Sequence, residues 1–440
     1  AQFDPTVKLT ARYDRQVSPL NRPIFGFGGV TIGEEPDTFD QNDTRFTLNL
    51  NQRLQSGGTY DLTLDTDRNS VAGQTSFLFN PSYTASLLFN LTQPLLRGFG
   101  PEVNRAPVHI ARNTAAVEQY AFVDQVLTVI MQVEQAYWEL VFARENEAVA
   151  KAALRAAQAL LAETKAKVKA GLLADVEILQ AEAGVADRVE QVLLAQQTVG
   201  DRSDRLRQLI VASEEELRQD AVVVPIDRPI RQADAVSASQ ALDLALRHRP
   251  EILQAQKQAD NSRINVTLAE NQLLPNLEFQ GSVGLSGLGK KPEDMFERTF
   301  STDFYSLGGG VVLSYPLGNR SAESQYRRRL LEAEQTRARI RQARQRVVVD
   351  VKEAIRRLRT NAKRMTTTKV ARQLADRRAT AERARFSLGL STTRKVLESQ
   401  RDLAEAQVKE LRAVIDYNQA LATYRRVTAS SPDYYRITLQ

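Results

Sequence analysis

The chain has 440 residues, of which 42% are hydrophobic and 25% are charged. The formal net charge of +6 is a small excess over so many charged residues, so it is only weak evidence for an anionic partner. There is no cysteine, which excludes disulfides and thiolate metal sites. No run of eighteen apolar residues is present, which argues against a membrane-spanning helix.

Alternating apolar and polar residues predict four β-strands near the start of the chain. The first covers residues 7–13 and is followed by a loop to about residue 43. The next two flank the Ser56-Gly57-Gly58 turn and form a hairpin from Arg45 to Arg68. The fourth runs from Tyr83 to Thr92. One face of this last strand is mostly polar and would tolerate a water-filled lumen, whereas its other face suits lipid. These strands alone are equally compatible with a soluble β-sandwich.

Long helices follow the strands. Residues 104–169 contain no proline after Pro107 and are rich in helix formers, which predicts a helix about 100 Å long. After Gly171 a second helix returns to about Ser213. Residues 221–236 are predicted to form a non-helical connector, and residues 239–271 a helical segment broken near Pro250.

The second half repeats this order of elements. Strands are predicted from Leu277 and over Leu307 to Tyr315, and a long helix over residues 322–387 precedes a returning helix with heptad spacing. The signature Lys167 to Leu172 reappears as Arg385 to Leu390, with a constant offset that extends far upstream. This predicts an internal repeat of two helical hairpins, each turning at a glycine.

The first half has no counterpart of the helical segment at residues 239–271. The repeat therefore predicts that the gene product carries such a helix, together with an export signal, ahead of Ala1.

The sequence offers little support for an enzyme. Gly284 to Lys290 matches part of a phosphate-binding loop, but Lys291 replaces the required Ser or Thr and no helix is predicted after Pro292, so a polar loop between two strands is favoured. The only histidines, His109 and His248, are far apart and lack metal-binding spacing. No catalytic residue, metal site or cofactor is predicted.

An arginine-rich run begins at Arg327 and continues to Arg346. Such a run could bind nucleic acid or anionic lipid. Because Glu332, Glu334 and Asp350 are interleaved and aromatic residues are nearly absent, a solvated or interhelical charged face is favoured, and no nucleic acid partner is expected.

Three features together resemble the TolC-like outer membrane efflux proteins: Gln93 to Gly98, Ala136 to Leu140, and the Gly-Leu turn that occurs twice. The resemblance implies a mixed α/β fold with two structural repeats per chain. In a homotrimer, the strands would pool into a membrane β-barrel and the helices into a long coiled-coil barrel.

The resemblance also implies a function. The chain would be the outer membrane channel of a tripartite efflux or type I secretion system, extending into the periplasm of a Gram-negative-type bacterium. It would work with a periplasmic adaptor and an inner membrane transporter, and the helix tips would gate it. The alternative is a soluble coiled-coil scaffold that binds protein or nucleic acid.

By the same resemblance, Gly171, Leu172, Gly389 and Leu390 are expected to contact the adaptor at the tips.

A periplasmic gate is expected near the second tip. Phe386 matches the family's aromatic position without its hydroxyl, and Ser391 stands where a basic residue is expected. Lys395 replaces one acidic residue, whereas Glu398 retains the other. The simpler interpretation is that these are ordinary hairpin-turn residues.

Family members contribute four strands per chain, whereas six are predicted here. The hairpin from Arg45 to Arg68 is therefore extra, and it would widen a trimeric barrel from twelve to eighteen strands or lie outside it. The predicted divisions are first-repeat strands (1–100), first hairpin (101–220), connector and helix (221–272), second-repeat strands (273–317), second hairpin (318–430) and tail (431–440).

Overall fold

The structure is a computed structural model that describes residues 2–20, 37–72, 77–218, 222–232 and 236–438. These ranges contain six strands and ten helices. The strands are β1 (Thr6–Leu20), β2 (Asp37–Arg53), β3 (Thr59–Ala72), β4 (Ser82–Pro94), β5 (Asn276–Gly289) and β6 (Tyr305–Ser314). The helices are α1 (Pro101–Asn104), α2 (Ala106–Lys169), α3 (Val176–Ile210), α4 (Glu214–Leu217), α5 (Ala238–His248), α6 (Pro250–Asn271), α7 (Pro292–Phe300), α8 (Arg320–Ser387), α9 (Thr393–Val427) and α10 (Ser431–Tyr435).

The chain divides into two compact units, each built from two segments. The first unit comprises Ala1–Thr114 and Gln258–Thr336 and contains all six strands. The second comprises Ala115–Lys257 and Arg337–Gln440 and contains both helical turns. Both halves of the sequence contribute to each unit.

The first unit is organised around one antiparallel sheet in which the strands lie side by side in chain order, β1 to β6. The register aligns residues of like character across the sheet. One row consists of Leu9, Leu48, Leu64, Leu87, Leu285 and Tyr305. Because side chains alternate between faces along a strand, this row belongs to one apolar face, and the intervening polar residues form the other. The predicted hairpin at 45–68 is confirmed, since it comprises the end of β2, the turn after it and the start of β3.

β1 and β2 are longer than the alternation predicts. Residues 14–20 pair with residues 37–43, where a loop was expected, so that prediction is wrong for these two segments. The physical reason is cross-strand polar bonding: Arg15 Nη2 lies 2.7 Å from Asp40 Oδ2, a contact with no local pattern in the sequence. The remainder of the predicted loop, residues 21–36, lies outside the described residues.

The segment after β5 also differs from the prediction. Residues 284–289 belong to the strand and Pro292 begins helix α7, so the expected polar loop without a helix is wrong. A β-carbon on Gly287 would lie 2.4 Å from Met295 O, so α7 packs directly against the backbone of β5. Proline at the first turn and Glu293 and Asp294 beside the positive helix end favour this short helix.

The long helices agree with the sequence prediction. α2 has 64 residues and α8 has 68, and the returning helices α3 and α9 have 35 residues each. The helical segment before the second set of strands is interrupted at Arg249, directly before Pro250, as predicted. Residues 222–232 form neither helix nor strand, as expected of the connector, whose other parts at 221 and 233–235 lie outside the described residues. The short helix α4 was not predicted.

The core of the second unit lies between α5, the start of α6, α8 and α9. Its largest buried cluster consists of Ala241, Ala245, Ile252, Val347, Val351, Ala354, Ile355 and Val427. On α9, Leu411 and Ala422 are buried, in agreement with the heptad pattern. Trp138 is partly buried against Val141 and Ile415. In the described ranges, no helix is both long and apolar enough to cross a membrane.

Candidate functional site

Two short turns contain the predicted tip residues. The first joins α2 to α3 and the second joins α8 to α9. Gly171 has a φ of 72° and Gly389 a φ of 78°, in the left-handed region that glycine adopts at little cost. The prediction that each hairpin turns at a glycine is confirmed.

The first turn is closed by a pair of backbone hydrogen bonds. The amide of Leu172 donates to Lys167 O at 2.9 Å, and the amide of Gly171 donates to Val168 O at 2.8 Å. This pair is the Schellman motif, which satisfies carbonyl groups left free at the end of a helix.

The second turn has the same two bonds. The amide of Leu390 donates to Arg385 O at 2.8 Å, and the amide of Gly389 donates to Phe386 O at 3.0 Å. The two turns are therefore equivalent in backbone conformation and in hydrogen bonding.

Both turns expose leucine side chains. Leu172 is 72% exposed, Leu390 is 66% exposed and Leu388 is 75% exposed. Exposed apolar groups clustered at a turn are typical of a surface that binds a partner. The four predicted adaptor-contact residues are thus at the surface, and the adaptor contact itself remains a prediction.

Phe386, the predicted gate aromatic, lies in a small core. It is 1% exposed and packs with Leu160 and Val396, with Leu173 and Leu397 beside them. This cluster contains residues of both hairpins. Phe386 therefore holds the two hairpins together, and its role in a gate remains a prediction.

Lys167, on the first hairpin, binds the end of α8. Its ammonium donates to Phe386 O at 2.6 Å and lies 4.1 Å from the centre of the Phe386 ring. Glu163 Oε1 lies 3.1 Å from the same nitrogen. A cation is favourable there because the last carbonyls of a helix are partly unpaired and carry the negative end of its dipole.

Glu177, also on the first hairpin, binds the start of α9. Its Oε2 accepts a hydrogen bond from the amide of Thr393 at 3.2 Å. The N-cap residue Thr392 makes no side-chain cap of its own. A carboxylate from the other hairpin therefore satisfies an amide at the positive end of α9.

We call these two interactions the tip clasp: Lys167 with Phe386 O, and Glu177 with Thr393 N. In the clasp, Lys167 of the first hairpin supplies a cation at the end of α8, and Glu177 of the first hairpin supplies an anion at the start of α9. The turn between α8 and α9 is thereby held at both of its ends.

Ser391 and Glu382 interact with each other within the second turn. The Ser391 hydroxyl donates to Glu382 Oε1, and Glu382 Oε2 also pairs with Arg385 at 3.6 Å. Ser391 thus stabilises the turn from inside.

Lys395 and Glu398 lie at the surface of α9. The predicted gate therefore comprises two residues bonded within the chain and two exposed charges. Their role in a gate remains a prediction.

A separate charged cluster lies elsewhere in the second unit, around Arg249. This arginine is 3% exposed, forms an ion pair with Glu251 and lies 3.5 Å from Asp350 Oδ2. Burial raises the pKa of Glu251, but the hydrogen bond and charge of Arg249 outweigh it, so the pKa is held below its ordinary value. Burial raises the pKa of nearby Asp124, and the charge of Glu251 adds to this, against Arg426.

Within the described ranges, no cluster of three or more His, Asp or Glu residues is placed to hold a metal ion. What the tip offers is an exposed apolar surface above two hairpins joined by charged hydrogen bonds, an arrangement suited to binding and movement.

Lys167 is the important residue that sequence reasoning missed. A lysine in the last turn of a helix is expected to interact with its own helix end, and its actual acceptor lies 219 residues away. Only a contact prediction between the two turns could have revealed it.

A sequence model of the outer membrane efflux protein family matches residues 60–211 and 241–430, which is most of the chain. The chain belongs to this family. Its place is accordingly the outer membrane of a Gram-negative bacterium, in agreement with the sequence-based expectation.

Two characterised efflux family proteins show the extent of the similarity. The pyoverdine export outer membrane protein OpmQ of Pseudomonas putida is 27% identical over 309 residues, which are 68% of this chain and 61% of OpmQ. The outer membrane protein TolC of Vibrio cholerae is 24% identical over 323 residues, 70% of each chain. The chain thus spans about six tenths of OpmQ.

The fold of the efflux family is also seen in solved structures. The CmeC outer membrane channel of Campylobacter jejuni matches with a TM-score of 0.66 at 15% identity, covering 99% of this chain and 80% of CmeC. The predicted fold is confirmed in its general form: the chain is rich in helix, contains a six-stranded sheet and shares the fold of outer membrane channels.

Proposed function

We propose that the chain is the outer membrane channel of a tripartite efflux or type I secretion system. Three copies assemble, their strands close one β-barrel and their hairpins form a helical barrel that reaches into the periplasm. Substrates pass from the periplasm to the exterior, and the protein carries out transport rather than an enzymatic reaction.

One observation carries this proposal. The same chain combines a sheet with one continuous apolar face and two long hairpins that end in matched turns with exposed leucines. The sheet suits a lipid environment, and the turns suit docking of a second protein.

The two halves are proposed to be structural repeats. The paired lengths of α3 and α9 and the identical bonding of the two turns support this. The predicted divisions at 1–100, 101–220, 221–272, 273–317, 318–430 and 431–440 follow the elements of the two halves.

The partners are a periplasmic adaptor and, through it, an inner membrane transporter. Leu172 and Leu390 contact the adaptor, because both are exposed at the ends of the hairpins.

The gate is controlled by the tip clasp. For the second hairpin to move away from the first, Lys167 and Glu177 must release Phe386 O and Thr393 N. Ser391, Lys395 and Glu398 belong to the moving hairpin. Adaptor binding opens the channel by replacing these contacts.

The alternative, a soluble coiled-coil scaffold, is disfavoured because the chain belongs to an outer membrane family. Extraction and reconstitution test the proposal. The protein should require detergent, run as a trimer in native mass spectrometry and conduct ions in a planar bilayer, with increased conductance in the variant Lys167→Met/Glu177→Gln. A monomer that stays in solution without detergent and conducts no ions would contradict it.

A further inference from the structure

The sheet has two open edges. Within the described residues, β1 pairs with β2 alone and β6 pairs with β5 alone. Every neighbouring pair is antiparallel, so the two edge strands of this six-stranded sheet also run in opposite directions. The free edge of β1 in one copy can therefore continue the antiparallel order beside β6 of another copy.

The faces of the edge strands also match. On β1 the exposed apolar residues are at odd positions, among them Leu9 (73% exposed). On β6 all of them except Val312 are at odd positions too, among them Leu307 (77% exposed). Both sets lie on the apolar face defined by the leucine row, so pairing odd positions with odd positions keeps that face continuous.

An open edge is not stable in a membrane. Each unpaired N–H or C=O group in lipid costs several kcal/mol, so lipid-exposed sheet edges do not occur there. Single-chain bacterial barrels have about eight strands or more, so six strands are too few to close alone. The edges must be covered by further copies of the sheet.

The additional hairpin is an integral part of the sheet. β2 and β3 pair without interruption from Asp40↔Ala72 to Arg53↔Thr59. Across this pair Asn49 Nδ2 donates to Asp61 Oδ2 at 2.6 Å, and Thr47 Oγ1 donates to Asp65 Oδ1. Removing the β2–β3 hairpin from the barrel wall would break its pairing with β1 on one side and with β4 on the other. Removing β1 and β2 would break the β2–β3 ladder and its polar side-chain bonds.

We infer that β1 of each copy pairs with β6 of the next copy, and that all six strands of each chain line the barrel. This rests on the trimer proposed above, and it gives an eighteen-stranded barrel. Barrels of about 16–18 strands enclose an aqueous channel. The outer opening is therefore wide.

Cysteine cross-linking tests the edge pairing, because the chain contains no native cysteine. Val311→Cys on β6 is combined in turn with Val7→Cys, Leu9→Cys, Ala11→Cys and Tyr13→Cys on β1, since barrel stagger decides which of them lies opposite. Neighbouring strands bring such pairs within disulfide reach. Oxidation in detergent should give covalent dimers and trimers for at least one combination, and Val311→Cys with Thr10→Cys, on the opposite face, should give none.

A second series distinguishes the alternative in which β1 and β2 lie outside the wall. Val311→Cys is combined with Leu62→Cys or Leu64→Cys on β3, which would be the edge of a twelve-stranded trimer. Cross-links in this series instead of the β1 series would overturn the inference while leaving the trimeric channel intact.

Native mass spectrometry of the same samples separates the two proposals. A trimer without cross-links in either series would overturn the edge pairing alone. Any other number of copies would overturn both the eighteen-stranded barrel and the proposed trimer.

Discussion

The two helical turns have the same backbone but different side-chain roles. Each ends its helix with a Schellman motif around a glycine. At the offset that relates the turns, Lys167 corresponds to Arg385 and Glu177 corresponds to Lys395. The first two bind the opposite hairpin, whereas Arg385 is 58% exposed and pairs within its own helix. Backbone equivalence therefore does not imply functional equivalence, because the first turn supplies the capping groups and the second receives them.

The largest expected effect is on the shared apolar surface of the turns. Leu390→Arg and Leu172→Arg should each reduce export at least about a hundredfold. The reason is that burying an unpaired guanidinium in the adaptor contact costs several kcal/mol. Each ~1.4 kcal/mol lowers the binding affinity tenfold. Efflux of a reporter substrate from cells measures this. Leu390→Met and Leu172→Met are the matched controls and should retain export. Loss of the trimer in Leu390→Arg would instead show that the turn is a folding element.

The Arg249 cluster is a buried ion-pair network, and the loss of folding stability on breaking it can be compared with the loss on breaking the clasp. Arg249→Met leaves Glu251 and Asp350 without their buried cation, and the expected loss of stability is about 3–5 kcal/mol. Denaturant unfolding of the purified protein measures it. Glu251→Gln should cost less, since Arg249 keeps Asp350. An Arg249→Met loss below that of the clasp variants would contradict this ranking.

The same variant tests a pH dependence. Because the pKa of Glu251 is lowered in the folded state, its stabilisation is complete above its ordinary pKa of about 4.3 and is lost as the pH falls through the lowered value. Asp124 has the opposite effect: because its pKa is raised in the folded state, it lowers the free energy of unfolding as the pH rises through its ordinary pKa. Arg249→Met removes the main group that lowers the pKa of Glu251. Below pH 5 the melting temperature of the variant should therefore fall less steeply with falling pH than that of the wild type. An unchanged dependence of the melting temperature on pH below pH 5 would show that Arg249 does not stabilise the Glu251 carboxylate.

The difference between the turns is sharpened by breaking the clasp. Lys167→Met and Glu177→Gln should each destabilise the second turn by about 1–3 kcal/mol. The first variant removes a charged hydrogen bond, and the second leaves the Thr393 amide with a neutral acceptor. Hydrogen exchange at the end of α8 and the start of α9 should accelerate accordingly. The corresponding variants Arg385→Met and Lys395→Gln should change it by less than about 0.5 kcal/mol. Equal effects at both turns would refute the division of roles.

The smallest effect tests what the turns share. Gly171→Ala and Gly389→Ala should each cost about 1 kcal/mol from the left-handed backbone alone. The two costs should be equal, because a β-carbon at either position meets no atom within 4 Å. Exchange rates of the Leu172 and Leu390 amides measure the cost, and Asn at each glycine should cost less than Ala. Unequal losses would reveal packing that only one turn has.

Much of the fold could be predicted because its signals are local. Alternation identified the first four strands, the repeated order of elements placed the last two, and the glycines at 171 and 389 identified both turns. The extension of β1 beyond Tyr13 could not be predicted, because Arg15 and Asp40 are placed by their partners across the sheet and not by a period. Helix α7 was missed because nine residues give too little periodicity, and its packing depends on Gly287 and Gly289 in the neighbouring strand.

The candidate site was less predictable than the fold. Glycine and leucine at the turns follow from sequence, since the conformation and exposure are set within a few residues. The contacts of Phe386, Lys167 and Glu177 depend on the approach of two hairpins separated by more than two hundred residues. Sequence reasoning named Phe386 as a gate residue, and the structure adds that its ring is enclosed.

The clasp has a consequence for how the two halves of this chain could be inherited. If the halves descend from one ancestral hairpin, the exchange of Glu177 for Lys395 at the corresponding position made them non-interchangeable. A chain carrying the second hairpin twice would lack Glu177, the carboxylate that binds the start of α9. Copying of the second hairpin over the first would therefore be selected against, which would preserve the divergence of the first.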